Sequence, residues 1–237
     1  MQDSIKYILQ ILPQMLEGLK ITIKLFVVTL VLSLPLGLLI SLFKEAVSKR
    51  PTDNFVIRWI VKMPIRFIIN VYLWVFRGTP LLLQLFFFYF GLTIIKLPNG
   101  EAITLSMFTA ATISFVLNYA AYFAEIYRGG IEAIPVGQYE AAKVLGYSKS
   151  QTFFRIVFPQ VCKHILPAVT NEIITLVKDT SLAFVLAVTE MFTMAKQIAA
   201  AQTSMVPYIA AGIFYYVFNL LVAMIMEKIE EKLNYYH

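Results

Sequence analysis

One cysteine, two histidines and no phosphate-binding loop: the sequence is short of the groups that most chemistry needs, and each shortage excludes something. With Cys162 as the sole thiol, an intramolecular disulfide and a cysteine zinc site are both excluded. His164 and His237 are too few and too far apart in sequence for a His-pair metal site, so solvated or interfacial positions are expected for them. The pattern G-x4-G-K-S/T is absent, so the chain cannot hydrolyse ATP by the usual route and any ATP-driven work implies a separate ATPase chain. No basic region, apolar stretch and small-residue cleavage site follow one another at the N-terminus, and no cleaved signal is expected. Soluble linkers, low-complexity segments and internal repeats are missing as well, which leaves residues 1–237 as one expected domain.

Charge is scarce too. Only 14% of the residues are charged against 59% hydrophobic, with a mean hydropathy of +0.74, a balance far from that of soluble chains. The solvent of such a chain is mostly lipid, and the expected fold class is an all-α membrane protein. About 30 Å of hydrocarbon at 1.5 Å of rise per residue asks for about twenty apolar residues per crossing. Five stretches meet that demand and are read as transmembrane helices: residues 21–43, 79–95, 105–128, 165–189 and 206–226. Ile65 to Phe76 is apolar but carries Arg66 and reads as an interfacial helix before the second span. Ile5 to Leu16 is apolar every three or four residues, so a separate N-terminal interfacial helix suits it better than a sixth span.

The basic residues set an expected orientation. Lys44, Lys49, Arg50, Arg58, Lys62 and Arg66 fall between spans one and two, and Arg128, Lys143, Lys149, Arg155 and Lys163 between spans three and four. The opposite loops hold Lys96 and Lys196. Five crossings then run from an N-terminus outside to a cytoplasmic C-terminus. Loops facing lipid headgroups account for the net charge of +6 and the pI near 9.3, and no nucleic acid is implied.

The loop between spans three and four is the most informative segment. Pro135 suits the first turn of a helix, Gly146 the left-handed residue that ends one, and Ser148 with Gln151 forms a capping box that starts a second helix ending near Pro159. Ala141 and Ala142 keep the first helix slim, while Val144, Leu145, Phe153, Phe154, Ile156 and Val157 add apolar area that a loop without function rarely holds. One reading is a docking surface for another protein; the other is an amphipathic pair lying on the membrane or on its own bundle.

The segment Glu140-Ala141-Ala142, Gly146, Ile156 and Phe158-Pro159 resembles the EAA-x3-G-x9-I-x-LP signature of ABC importer permeases, with Phe158 where that family usually has Leu. Phe76 to Pro80 (FRGTP), Ala124 to Ile131 (AEIYRGGI) and Leu176 to Leu182 (LVKDTSL) resemble blocks of the polar amino acid branch of that family, in the same order. The resemblance covers most of the chain from the first span onward. It implies a type I importer permease of the prokaryotic inner membrane, in which Glu140, Ala141, Ala142, Gly146, Tyr147, Ile156 and Pro159 belong to a cytoplasmic coupling segment over residues 135–159. It also implies two ATP-binding cassette subunits that bind ATP and Mg, a second permease subunit (homodimer favoured, heterodimer open), an extracytoplasmic binding protein and an amino acid as cargo. No cofactor is expected in this chain, which is a transport subunit and not an enzyme.

Polar groups inside lipid are costly and mark functional candidates. Asn118, Tyr122 and Glu125 fall on one face of span three, and Asp179, Thr180 and Ser181 add an acid and two hydroxyls on span four. These six are the expected substrate-binding residues. The alternative is structural: Glu125 pairs with Arg128 at i+3, and Lys178 pairs with Asp179 of a neighbouring subunit. Arg77 either meets a substrate carboxylate or, as favoured, snorkels to the headgroups. Unpaired acids in the spans point to a basic L-amino acid, with glutamine or another neutral polar amino acid as the alternative. An ion-coupled secondary transporter and a membrane scaffold are the other function classes.

Overall fold

The computed structural model describes residues 2–49, 62–98 and 100–233; Arg50, Arg58 and His237 of the sequence reading lie outside them. Helices make up nearly all of it: α1 (Gln2–Lys49), α2 (Met63–Gly78), α3 (Leu81–Tyr89), α4 (Met107–Glu132), α5 (Val136–Val144), α6 (Lys149–Thr152), α7 (Phe158–Asp179), α8 (Met191–Gln202) and α9 (Val206–Leu233). The described residues contain no strand, only an antiparallel bridge between Lys96 and Ala102. Three helices are long and apolar enough to cross a membrane, in α1 (Leu9–Val47), α4 and α9; α2 and α3, with the 3-10 turn after them, raise the number to four if taken as one broken span.

Two expectations are corrected. The N-terminal interfacial helix does not exist as a separate element, because α1 runs unbroken from Gln2 to Lys49. The helix runs on through both Pro13 and Gly18, and Gly18 meets α8 closely: a Cβ on it would stand 2.8 Å from Met194 Cγ and 3.0 Å from Met191 Cα. The fourth span does not form as one helix over residues 165–189 either. Helix α7 closes at Asp179, Thr180–Leu186 winds as a 3-10 helix, and Ala187 takes a left-handed φ of 56°. The hydroxyls of Thr180 and Ser181 donate to the carbonyls three residues back, Val177 and Lys178, both at 2.7 Å, and so compete with the α-helical ladder. Helices α4 and α9 outrun their apolar windows to Glu132 and Leu233.

The chain divides into two compact units, each assembled from three separated stretches. Unit 1 holds residues 1–32, 79–118 and 173–224. Its core gathers Ile11 and Met15 of α1 with Met191, Ala195 and Ile198 of α8 and Ala210 and Ala211 of α9. Helix α8, which the sequence reading did not anticipate, is fixed at its start by Glu190. That fully buried carboxylate accepts from the backbone of Phe192 and Thr193 at 2.7 Å each, from Thr193 Oγ1 at 2.8 Å and from Tyr215 Oη at 2.8 Å. Such a cap satisfies free amides of the first turn, and the buried carboxyl has four hydrogen-bond donors around it.

Unit 2 holds residues 33–78, 119–172 and 225–237. Leu73 of α2 packs on Ala121 and Ala124 of α4, with Ile40, Ile69, Tyr72 and Phe76 around them. Small residues let the helices close up: a Cβ on Gly37 of α1 would stand 2.8 Å from Phe123 Cβ and 3.0 Å from the Ala120 carbonyl. At Gly130 of α4 the gap to α7 is tighter still, a Cβ falling 2.2 Å from Ile165 Cγ2 and 3.1 Å from Val161 Cγ1. Ile165 is β-branched and cannot swing aside. Gly130→Ala is therefore expected to destabilise by about 1–3 kcal/mol through overpacking. Gly129→Ala meets nothing within 4 Å and is expected to be neutral or slightly stabilising. Thermal unfolding of the two variants side by side checks the contrast.

Candidate functional site

The loop after α4 is built as an elbow, entirely within unit 2. Pro135 stands at the N-cap of α5, one residue before the first turn. The helix ends in a Schellman arrangement: Tyr147 N donates to Ala142 O at 3.0 Å, Gly146 N to Lys143 O at 3.1 Å, and Gly146 sits at φ +78°. Ser148 then opens α6 with a full capping box, Gln151 N donating to Ser148 Oγ at 3.3 Å and Ser148 N to Gln151 Oε1 at 2.9 Å.

The second helix does not end near Pro159. A π-helical turn, Phe153–Val157, carries α6 into α7, and Pro159 becomes the second residue of α7. Phe158 N donates to Phe153 O, five residues back, so the hydrogen-bond ladder changes register just where proline has no N–H to give. Gln160 Nε2 ties α7 to α5 through Gln138 Oε1 at 3.3 Å.

The EAA residues divide in their roles. Ala142 is fully buried and serves packing within the chain, whereas Glu140, Ala141, Gly146 and Tyr147 are exposed and Ile156 is half-buried. Around the corner Val144 is 88% and Leu145 73% exposed, with Val136 and Phe154 exposed beside them. An exposed apolar group of this kind suits contact with another protein or with the membrane surface.

A second cluster in unit 2 is ionic. Glu125 of α4 accepts from Lys44 Nζ of α1 at 2.7 Å through Oε1 and from Arg128 Nε at 2.8 Å through Oε2. Arg77 of α2 reaches Oε2 at 3.8 Å, and its guanidinium lies 5.8 Å from the ring centroid of Tyr122. Arg128 passes its other side to Glu132 at 2.6 Å. Geometry supports the structural alternative for Glu125, a pair with Arg128, and adds Lys44 to it. It also supplies Arg77 with a carboxylate and an aromatic face within the chain.

The remaining candidates lie in unit 1 and are committed within the chain. Asn118 is buried and donates through Nδ2 to Gln84 Oε1 at 3.1 Å; Gln84 Nε2 donates in turn to Thr79 O at 3.1 Å and to Thr79 Oγ1 at 3.0 Å. Thr180 is buried, while Asp179 and Ser181 are partly exposed. Sequence reasoning missed Gln84, although a lone amide in the run from Leu81 to Phe90 is the kind of polar residue that lipid penalises. Lys44 was missed because nothing local links it to Glu125, 81 residues away. Among the described residues no His, Cys, Asp and Glu group is arranged to hold a metal ion.

Comparison with known proteins bears on the family and the fold. The family described as binding-protein-dependent transport system inner membrane component matches residues 61–235. The arginine transport system permease protein of Bacillus subtilis is 38% identical over 94% of this chain and 94% of its own length. The L-cystine transport system permease protein of the same organism is 37% identical over 73% of this chain and 72% of its length. Among solved structures, an amino acid ABC transporter with histidines matches at a TM-score of 0.79 and 30% identity, over 95% of this chain and 97% of that one.

Proposed function

This chain belongs to the family of binding-protein-dependent transport system inner membrane components, and we propose that it is the permease subunit of an ATP-driven amino acid importer. The observation that carries the reading is the elbow of α5 and α6, an ordered corner with the EAA residues on it and bare apolar side chains at its tip. In an ATP-driven importer, a chain without a phosphate loop takes its energy through contact with a separate ATPase chain. In this reading two ATP-binding subunits, which hold ATP and Mg, dock on Val136 to Phe158. Their closure moves α4 and α7 and alternates the access of a cavity shared with a second permease subunit, an identical copy being favoured over a close homologue. A binding protein delivers cargo from outside.

Five crossings are proposed, with α2 and α3 contributing the second and α7 with its 3-10 extension the fourth. The N-terminus is taken as outside, and the C-terminus and the segment over residues 135–159 as cytoplasmic. The distribution of charge over the loops supports this: Lys44, Lys62 and Arg66 fall between the first and second spans and Lys143, Lys149, Arg155 and Lys163 between the third and fourth, against Lys96 and Lys196 in the opposite loops.

Arginine, or another basic amino acid, is the proposed cargo, since an arginine system permease is similar over nearly the full length. A neutral polar amino acid such as glutamine or cystine is the second reading. It is favoured by the pairing of Glu125 with Lys44 and Arg128 and by the four hydrogen bonds on Glu190, which remove two acids from the electrostatic argument for a cation. Tyr122, Asp179 and Ser181, each partly exposed, are the proposed cargo-facing groups, while Asn118 and Thr180 support from buried positions. Vesicles holding the full complex, its binding protein and internal ATP are expected to take up labelled arginine, with glutamine and cystine slower. Uptake of the neutral amino acids alone would select the second reading, and uptake of none of the three would count against an amino acid importer of this class.

A further inference from the structure

A cavity of about 330 Å³ opens beside the Glu125 cluster in unit 2, and four cations line it: Lys44, Arg66, Arg77 and Arg128. Three carboxylates, Glu45, Glu125 and Glu132, line it as well, one fewer than the cations. Glu125 uses Oε1 on Lys44 and Oε2 on Arg128, and Glu132 takes the other side of Arg128. Arg77 approaches an oxygen that Arg128 already holds, at 3.8 Å, which leaves most of its five donors free of that carboxylate. Arg66 is exposed and forms no ion pair among the described residues.

Positions 66, 73 and 77 share one face of α2, so both guanidiniums and Leu73 meet the cavity together. The adjoining face of the same helix is exposed and apolar, with Phe67, Ile68, Val71 and Val75 along it, and Trp74 lies at the border, exposed and lining the cavity. Guanidinium forks matched to phosphate, with a greasy strip beginning at their side and an indole at the junction, make a surface with two chemistries.

We propose that this cavity binds the headgroup phosphate of an anionic phospholipid, held by Arg66 and Arg77, while the acyl chains lie along Phe67, Ile68, Val71 and Val75. Charge complementarity selects the headgroup, and the apolar strip selects a lipid over a soluble phosphate. The inference rests on the chain being a membrane permease, which family membership supports independently of cargo or docking.

The test uses the intact complex in detergent and in nanodiscs, with native mass spectrometry to count retained lipid and phosphatidylglycerol against phosphatidylcholine as the probes. The wild type is expected to retain phosphatidylglycerol in preference, and the Arg66→Gln, Arg77→Gln double variant to lose that retention on the order of tenfold. Arg66→Gln alone, a change at an exposed side chain, is expected to show several-fold loss with an unchanged melting temperature in lipid-free detergent. The Arg66→Lys, Arg77→Lys double variant keeps the charge and is expected to recover part of the retention. Equal retention by wild type and the glutamine double variant, or no preference between the two lipids, overturns the proposal. Displacement of the lipid by millimolar inorganic phosphate alone also overturns it, since the occupant is then a soluble anion.

Discussion

Replacing Val144 and Leu145 together with glutamine is expected to abolish ATP-driven uptake by the complex and to leave the melting temperature of the permease nearly unchanged. Both side chains stand in solvent at the C-terminal end of α5, at 88% and 73% exposure, so the chain itself loses no packing when they are removed. Glutamine is a good helix former and brings no charge that would act on the end of the helix. Against a partner the balance differs. An aliphatic side chain gains about 1.5–3 kcal/mol on full burial, so losing two of them weakens docking by roughly a hundredfold or more. The reading of the elbow as a helix pair lying on the membrane gives a different outcome, because an ATP-binding subunit would then remain attached. Co-purification of that subunit, uptake and ATPase rate measured on the same preparation separate the two, and wild-type uptake by the double variant would refute the docking assignment.

That surface was legible in the sequence because it is made by neighbours. Gly146 ends α5 and Ser148 pairs with Gln151 through contacts spanning at most five residues, each set by backbone geometry that residue type alone signals. Pro159 was misplaced for the same local reason. A proline usually marks an end, and only the π turn before it, which no residue pattern announces, lets the chain continue into α7. Apolar windows found the long helices but not their limits: hydropathy records where lipid is tolerated, while α1 runs on through Pro13 and Gly18, residue types that usually mark a helix boundary. Thr180 and Ser181 carry a local signal of another kind, since their hydroxyls donate to carbonyls of their own helix end where the α-helix gives way to a 3-10 turn. Contacts between distant stretches were the least legible. Gly130 against Ile165, Gln84 against Asn118 and Lys44 against Glu125 all join helices that the sequence lists far apart, and one sequence carries no record of which faces meet.

Glu125 carries the second large effect. Among the described residues it is the one carboxylate that three cations, from α1, α2 and α4, approach within 4 Å, and it is only 15% exposed. Glu125→Gln keeps the shape and removes the charge. Arg128 retains Glu132, but Lys44, 22% exposed, is left beside a neutral amide with two guanidiniums nearby. Charge-assisted hydrogen bonds are worth about 1.5–3 kcal/mol each; partial exposure of the partners reduces that, and a net loss on the order of 2 kcal/mol is expected in thermal or denaturant unfolding of the complex. Lys44→Gln in the same chain should return much of it, because the double variant no longer holds an unmatched cation, and the cycle of two single variants and the double reads the coupling directly. The same four proteins decide whether Glu125 also serves cargo. A purely structural hub predicts that the double variant regains arginine uptake along with stability. Recovery of stability with uptake still depressed, seen as a raised KM for arginine, would instead place the Glu125 carboxylate against the transported cation and return it to the cargo path.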